Sequence, residues 1–175
     1  MPLSSRFTLR AYALHTGAAP TPDLGTGAGA SVTIDQLTDI TLADGTLAGQ
    51  ADRVFEDTRT IAASGTDDLD LAGVLTDRFG AVITFARIKG LYIAAAAANT
   101  NNVVVGAAAT NQWATLLNTT GTMQLRPGEA FAVRTGALDA IGHTVTAGTG
   151  DILRIANGGA GTTVTYDIII VGCSA

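Results

Sequence analysis

In 175 residues the sequence has one cysteine (Cys173), one lysine (Lys89) and one tryptophan (Trp113). A single cysteine excludes an internal disulfide and any cysteine-based zinc site. Charge is also scarce: Asp, Glu, Lys and Arg make up 14% of the chain, against about 25% in an average soluble domain. Ten basic and fifteen acidic residues leave a net charge of −5, the wrong sign for a face that meets nucleic-acid phosphates. No apolar run approaches the roughly 20 residues of a membrane helix. The longest, Ile168–Val171 and Ala94–Ala98, are strand-sized. The opening residues Met1–Arg6 lack the apolar stretch of a secretory signal, which points to synthesis in a reducing cytoplasm. No stretch of ten or more residues has a helical apolar period, and no repeat at fixed spacing is present.

What the chain does hold is 31 alanines, 26 threonines and 21 glycines, within a composition that is 47% hydrophobic. That fraction is too high, and the net charge too small, for a disordered chain. Apolar residues alternate with polar ones in short runs broken by turn residues. Residues 7–14 open with a strand pattern. Three of the four prolines lie in the first 22 residues, and residues 15–30, with Pro20, Pro22 and a cluster of glycines, read as an extended connector. Residues 1–30 are therefore expected to form an arm and linker, and residues 31–175 the body.

Within the body, Ser31–Ile34, Asp39–Leu42 and Ala51–Ala63 are strand-prone, with an Asp44-Gly45 turn between the last two. Phe79–Lys89 has the strongest alternation, and Ala94–Ala98 with Val103–Val105 is expected to form a hairpin about an Asn-rich turn. Further strands are expected around Trp113 and over Ala130–Arg134, Thr144–Ala147, Asp151–Ala156 and Thr162–Val171. The last has Val164, Tyr166, Ile168 and Ile170 on one face and turns apolar on both faces at its end, the pattern of a central strand. Nine to eleven short strands with frequent turns predict an all-β single domain, a β-sandwich of jelly-roll-like character with an extended N-terminal arm.

Chemistry is sparse. Gly25-Thr26-Gly27-Ala28-Gly29 has neither the spacing nor the following helix of a dinucleotide loop. His15 and His143 are read as surface or interface residues, and no nucleophile elbow surrounds Ser64 or Ser174. Asp67, Asp68 and Asp70, expected on a turn, are the weak candidates for a Ca²⁺ site, a solvated turn being the plainer reading. No catalytic residue and no cofactor are expected. Trp113 reads as a core or interface anchor more readily than as a sugar platform. Residues 1–15 hold Arg6 and Arg10 and no acid, so a basic strand precedes an acidic body. Arg6, Phe7, Arg10, Tyr12 and Trp113 are the contact candidates, with the two arginines pairing a neighbour's carboxylates.

Three segments carry a resemblance: Leu125–Val133 (Leu-Arg-Pro-Gly-Glu-Ala-Phe-Ala-Val), Val145–Gly159 and Val164–Gly172. Over roughly residues 80–175 the chain resembles the small β-sandwich proteins of tailed-bacteriophage virions, and among these the head decoration, or cement, proteins. The resemblance implies a homo-oligomer, a trimer, on the capsid surface of a virion assembled in the host cytoplasm. Its partners would be the major capsid protein or other virion proteins, with no nucleic acid and no membrane. Alternatives are a tail, neck or fibre-base component, or a carbohydrate-binding β-sandwich module.

Overall fold

The computed structural model describes residues 2–17 and 30–175. These residues are all-β, with no helix among them. The chain divides into two compact units: Arg6–Ile40, and Met1–Ser5 together with Thr41–Ala175.

The larger unit is a sandwich-like pair of antiparallel sheets. One has the order β3 (Arg53–Ile61), β11 (Val164–Cys173), β5 (Arg87–Ala95), β8 (Ala130–Arg134), with β9 (His143–Thr144) also pairing β5. The other has the order β4 (Thr66–Asp70), β10 (Ile152–Asn157), β6 (Val103–Gly106), β7 (Thr122–Leu125). The chain crosses between sheets repeatedly, so most contacts that close the core join residues distant in sequence.

Alternation decides which side chains fill the space between the sheets. Val164, Tyr166, Ile168 and Ile170 of β11 are fully buried in one core cluster with Leu91 and Ile93 of β5, Leu153 and Ile155 of β10, and Val103 and Val105 of β6. Burying each such side chain contributes roughly 1.5–3 kcal/mol. β11 is central, between β3 and β5, as its doubly apolar end requires. Gly172 lets it lie close to its neighbour: a Cβ there would stand 2.3 Å from the Arg87 carbonyl oxygen.

β5 carries one residue more than β11 opposite it, since Val171 pairs Gly90 and Gly172 pairs Ile88. The extra residue is Lys89. This bulge puts both Ile88 and Leu91 in the core and turns Lys89 to the other face of the sheet. There it is 1% exposed, with its ammonium donating to the Asp139 carbonyl and its own carbonyl accepting from Thr135 N–H. Cys173, also buried, lies on that outer face with Sγ 3.4 Å from the Gln50 carbonyl oxygen.

Several expectations need correction. The strand expected around Trp113 is absent: Gln112 makes an isolated bridge to Ile152, and residues 115–120 are turn. Of the alternation expected over Phe79–Lys89, burial follows only Val82–Phe85, with Ile83 and Phe85 inside and Val82 and Thr84 exposed; Phe79 is exposed, and Ile88 and Lys89 are both buried. Yet only Arg87 onward is a strand, because the Ile83 and Phe85 amides bond to Leu75 and Leu71 in a neighbouring loop. Alternate burial marks extended backbone, not ladder pairing. Ala94–Ala98 and Val103–Val105 do not form a hairpin, for β5 and β6 belong to different sheets and their connection crosses between layers. Asp67, Asp68 and Asp70 lie on strand β4, and the turn before it is only Ala63-Ser64.

The smaller unit is a two-stranded ribbon of β1 (Ser5–Gly17) and β2 (Ala30–Leu42), thirteen residues each. Residues 31–34 and 39–42 are thus parts of one strand that pairs with the first, and the division between units falls after Ile40 rather than after residue 30. Of the connector expected over residues 15–30, residues 15–17 and 30 are strand, while 18–29 lie outside the described residues. In the larger unit the Leu3 amide donates to Asp44 Oδ1 at 2.9 Å, joining the segment before the ribbon to the segment after it.

Candidate functional site

The ribbon gathers four of the five contact candidates. Arg6, Thr8, Arg10 and Tyr12 alternate along β1 and so share a face. Opposite them β2 presents Asp35, Leu37 and Asp39. Arg6 binds Asp39 through Nε, at 2.9 Å to both carboxylate oxygens, and through Nη2 at 2.5 Å. Thr8 Oγ1 donates to the same carboxylate at 3.1 Å. Arg10 binds Asp35 at 2.9 and 2.8 Å, and its guanidinium carbon lies 5.5 Å from the Tyr12 ring centroid. The hydrogen bond between them holds the Asp39 carboxyl below, and the Arg6 guanidinium above, its ordinary pKa. Both arginines are therefore paired bidentately, as the sequence suggests, but with carboxylates of their own chain.

The other ribbon face consists of Phe7, Leu9, Ala11 and Ala13 from β1 with Ile34, Gln36 and Thr38 from β2. None of these side chains is ionisable. Phe7 is half-buried; Leu9 and Ile34 are 39% and 51% exposed.

Trp113 is not on a contact surface. It is 4% exposed within the sandwich core, its Nε1 donates to the Thr144 carbonyl at 2.8 Å, and the His143 ring stands edge-on to it at 6.1 Å. The description of His15 stops at its backbone.

The acidic residues assemble a feature that the sequence conceals. β3 and β4 each pair on one side only, and they end their sheets on the same side of the sandwich, joined by the turn 62–65. Between them runs a polar groove of about 610 Å³, walled by Glu56, Asp57, Arg59, Asp68, Asp77 and Arg78 among others. Arg59 donates to Asp67 at 2.5 and 3.1 Å and to Asp57 at 3.0 Å. Asp67 also accepts from the Tyr166 hydroxyl at 2.8 Å. Burial, and then this hydrogen bond, push the Tyr166 phenol above its ordinary range. Arg78 grips Glu56 at 2.9 and 2.7 Å, and Arg154 grips Asp68 at 2.7 Å through both nitrogens. The Asp70 carboxylate accepts from the Ala72 amide.

The three Ca²⁺ candidates thus have separate partners. Among the described residues no group of three His, Cys, Asp or Glu side chains is placed to hold a metal ion. The groove's two guanidiniums, Arg59 and Arg78, and that of Arg154, which holds the groove's Asp68, are each neutralised by a carboxylate. Rows of paired charge along two free strand edges block the addition of a further strand, the usual protection of an exposed edge.

Asp35, Asp39, Arg59 and Arg78 escaped the sequence reading. For the first two a signal existed: Arg6 and Arg10 are four apart, as are Asp35 and Asp39, which is same-face spacing on two strands that can pair antiparallel. For Arg59 and Arg78 nothing local marks a partner.

Compared with known protein families, curated proteins and solved structures, the chain matches none of them.

Proposed function

We propose that this chain is a non-enzymatic structural protein of a tailed-phage virion, a head decoration protein that self-associates as a trimer and reinforces the capsid lattice. The observation that carries the proposal is the ribbon. An isolated two-stranded hairpin is marginal in water, yet this one runs thirteen residues per strand and leaves Leu9, Tyr12, Leu14, Ile34 and Leu37 exposed. Such a surface suits a partner in an assembly. The sandwich adds a charge-poor exterior and a strand edge closed by ion pairs. That combination favours specific docking through one element over indiscriminate edge pairing. Repetition on a lattice then multiplies modest contacts by avidity.

The role of Arg6 and Arg10 changes accordingly. Already paired with Asp39 and Asp35, they stiffen the ribbon, and docking falls to its apolar side chains. The test is quantitative mass spectrometry of purified heads and purified tails. The expected result is this chain on heads, in a copy number that matches the capsomers. Presence in tails alone would replace this reading with that of a tail, neck or fibre-base component.

A further inference from the structure

We propose that the outer edge of β8 is a strand-addition site, which takes one short, extended, uncharged peptide segment from a partner protein. The inference stands on the sandwich alone and does not depend on the virion reading.

The backbone of β8 sets the site. β8 pairs with β5 on one side and ends its sheet on the other. The Thr135 amide donates to the Lys89 carbonyl at 2.8 Å, and the Ala95 amide to the Glu129 carbonyl at 2.9 Å. Antiparallel ladders bond through alternate residues. Phe131 and Val133, in phase with Glu129 and Thr135, therefore bond to β5, and Ala130, Ala132 and Arg134 point their N–H and C=O groups away from the sheet. Among the described residues nothing hydrogen-bonds to those outward groups. What complements such a row is another main chain in extended conformation.

Charge distinguishes this edge from the one across the sandwich. There β3 and β4, joined by the turn 62–65, carry the paired charges of Glu56, Asp57, Arg59, Asp67 and Asp68. β7 and β8, joined by the turn 126–129, end the two sheets on the other side. β7 has no ionisable residue, and β8 has only Arg134, whose Nη1 folds back to the Thr135 carbonyl at 3.0 Å. β8 contains no proline, and no bulge interrupts its register with β5. Of the usual devices that blunt an exposed edge, brevity is the one present here.

These features define the occupant. Five residues at about 3.3 Å make an edge of about 17 Å, room for one strand of similar length. An ionised side chain on the incoming strand would find no counter-charge beside Ala130 and Ala132. The small side chains of those two leave space for β-branched neighbours across the new pairing. Among the sandwich strands of a second copy, β3 and β4 are barred by their charges, while β7 and β8 are short and fixed in their own sheets. A segment free to extend along β8 has neither limit.

The test uses the full chain and, as probe, the capped peptide acetyl-Thr-Val-Thr-Val-Thr-amide. At about 5 mM, the range in which so short a contact binds, NMR should show shifted Ala130, Ala132 and Arg134 amides. At half saturation their solvent exchange should slow about twofold, with that of Phe131 and Val133 unchanged. The same peptide N-methylated at every residue should do neither. Ala132→Pro removes one outward amide without touching the β5 ladder. It should unfold cooperatively like the parent and lose the peptide-induced shifts at Ala130 and Arg134. Should that variant fail to fold, the N-methylated peptide on the native chain decides alone. No shifts at 5 mM, slowed exchange without alternation, equal effects from the N-methylated peptide, or unchanged binding by a folded Ala132→Pro would each overturn the proposal. Equal shifts from a peptide with Glu at both Val positions would overturn the uncharged occupant. Protection of the three amides that grows with protein concentration, without peptide, would give the edge to a second copy and overturn the partner.

Discussion

Tyr166 joins the two sheets through one hydroxyl. Its ring is fully buried, and its oxygen reaches Asp67 on the opposite sheet, which Arg59 also holds. A hydrogen bond to a charged acceptor contributes about 1.5–3 kcal/mol. Tyr166→Phe keeps the ring and Arg59, so the expected loss is about 1.5 kcal/mol, read as a lower urea midpoint at constant slope. The same residue fixes the alkaline limb of stability. Its folded pKa is raised, so its contribution is complete below the ordinary tyrosine value of about 10 and is lost as pH rises from there toward the folded value. Tyr166→Phe should flatten that limb in a urea series run from pH 8 to 11. The acid limb has the opposite sign. Arg154 holds the Asp68 carboxyl below its ordinary range. The contribution of Asp68 is therefore present above about pH 4 and is lost as pH falls through its folded value. Asp68→Asn should remove that part of the acid dependence, as measured by denaturant titrations below pH 5.

At the scale of elements, β11 decides whether the sandwich forms. Ile168 is fully buried between β3 and β5, whereas Ile169 next to it is half-buried on the outer face. Ile168→Ala should cost about 3 kcal/mol and Ile169→Ala about 1, a contrast that equilibrium unfolding of the two variants measures. This strand was legible in the sequence almost residue by residue, because its alternation coincides with burial on one face. Val82–Phe85 alternates too but hands the Ile83 and Phe85 amides to a loop, and nothing in a period of two records where an amide bonds. Sheet membership was hidden too. Ala94–Ala95 and Val103–Val105 look like neighbours in one hairpin, yet Ala94 pairs with β8 and Val104 with β7 and β10. The groove was illegible for the same reason. Arg59 meets Asp67 only because the chain changes sheets within four residues, and Arg154 meets Asp68 across 86 positions. The ribbon was partly legible: its strands were foreseen in pieces, their mutual pairing was not.

For the whole molecule, the division into a sandwich and a ribbon predicts separable behaviour. Every residue of the sandwich's core cluster falls outside Arg6–Ile40. Replacing residues 6–40 with a short glycine-serine link should leave a cooperatively unfolding domain whose midpoint shifts by a few degrees at most. Differential scanning calorimetry checks this, and loss of the cooperative transition would show that the ribbon is integral to folding. A different consequence follows from the bulge in β5. It buries the only lysine, and the only cysteine is buried on the same face of that sheet. Burial also raises the Cys173 thiol pKa, so at neutral pH it is the unreactive protonated form. The α-amino group aside, the native domain should be mute to lysine-directed acylating and cysteine-directed thiol reagents. Every Lys89 or Cys173 adduct then records a molecule that opened. Where reclosing outpaces modification, the adduct rate gives the open population; at high reagent concentration it gives the opening rate itself. Two unlike chemistries, one at each residue, would clock the same event, and agreement between them would show that this side of the domain opens as a unit.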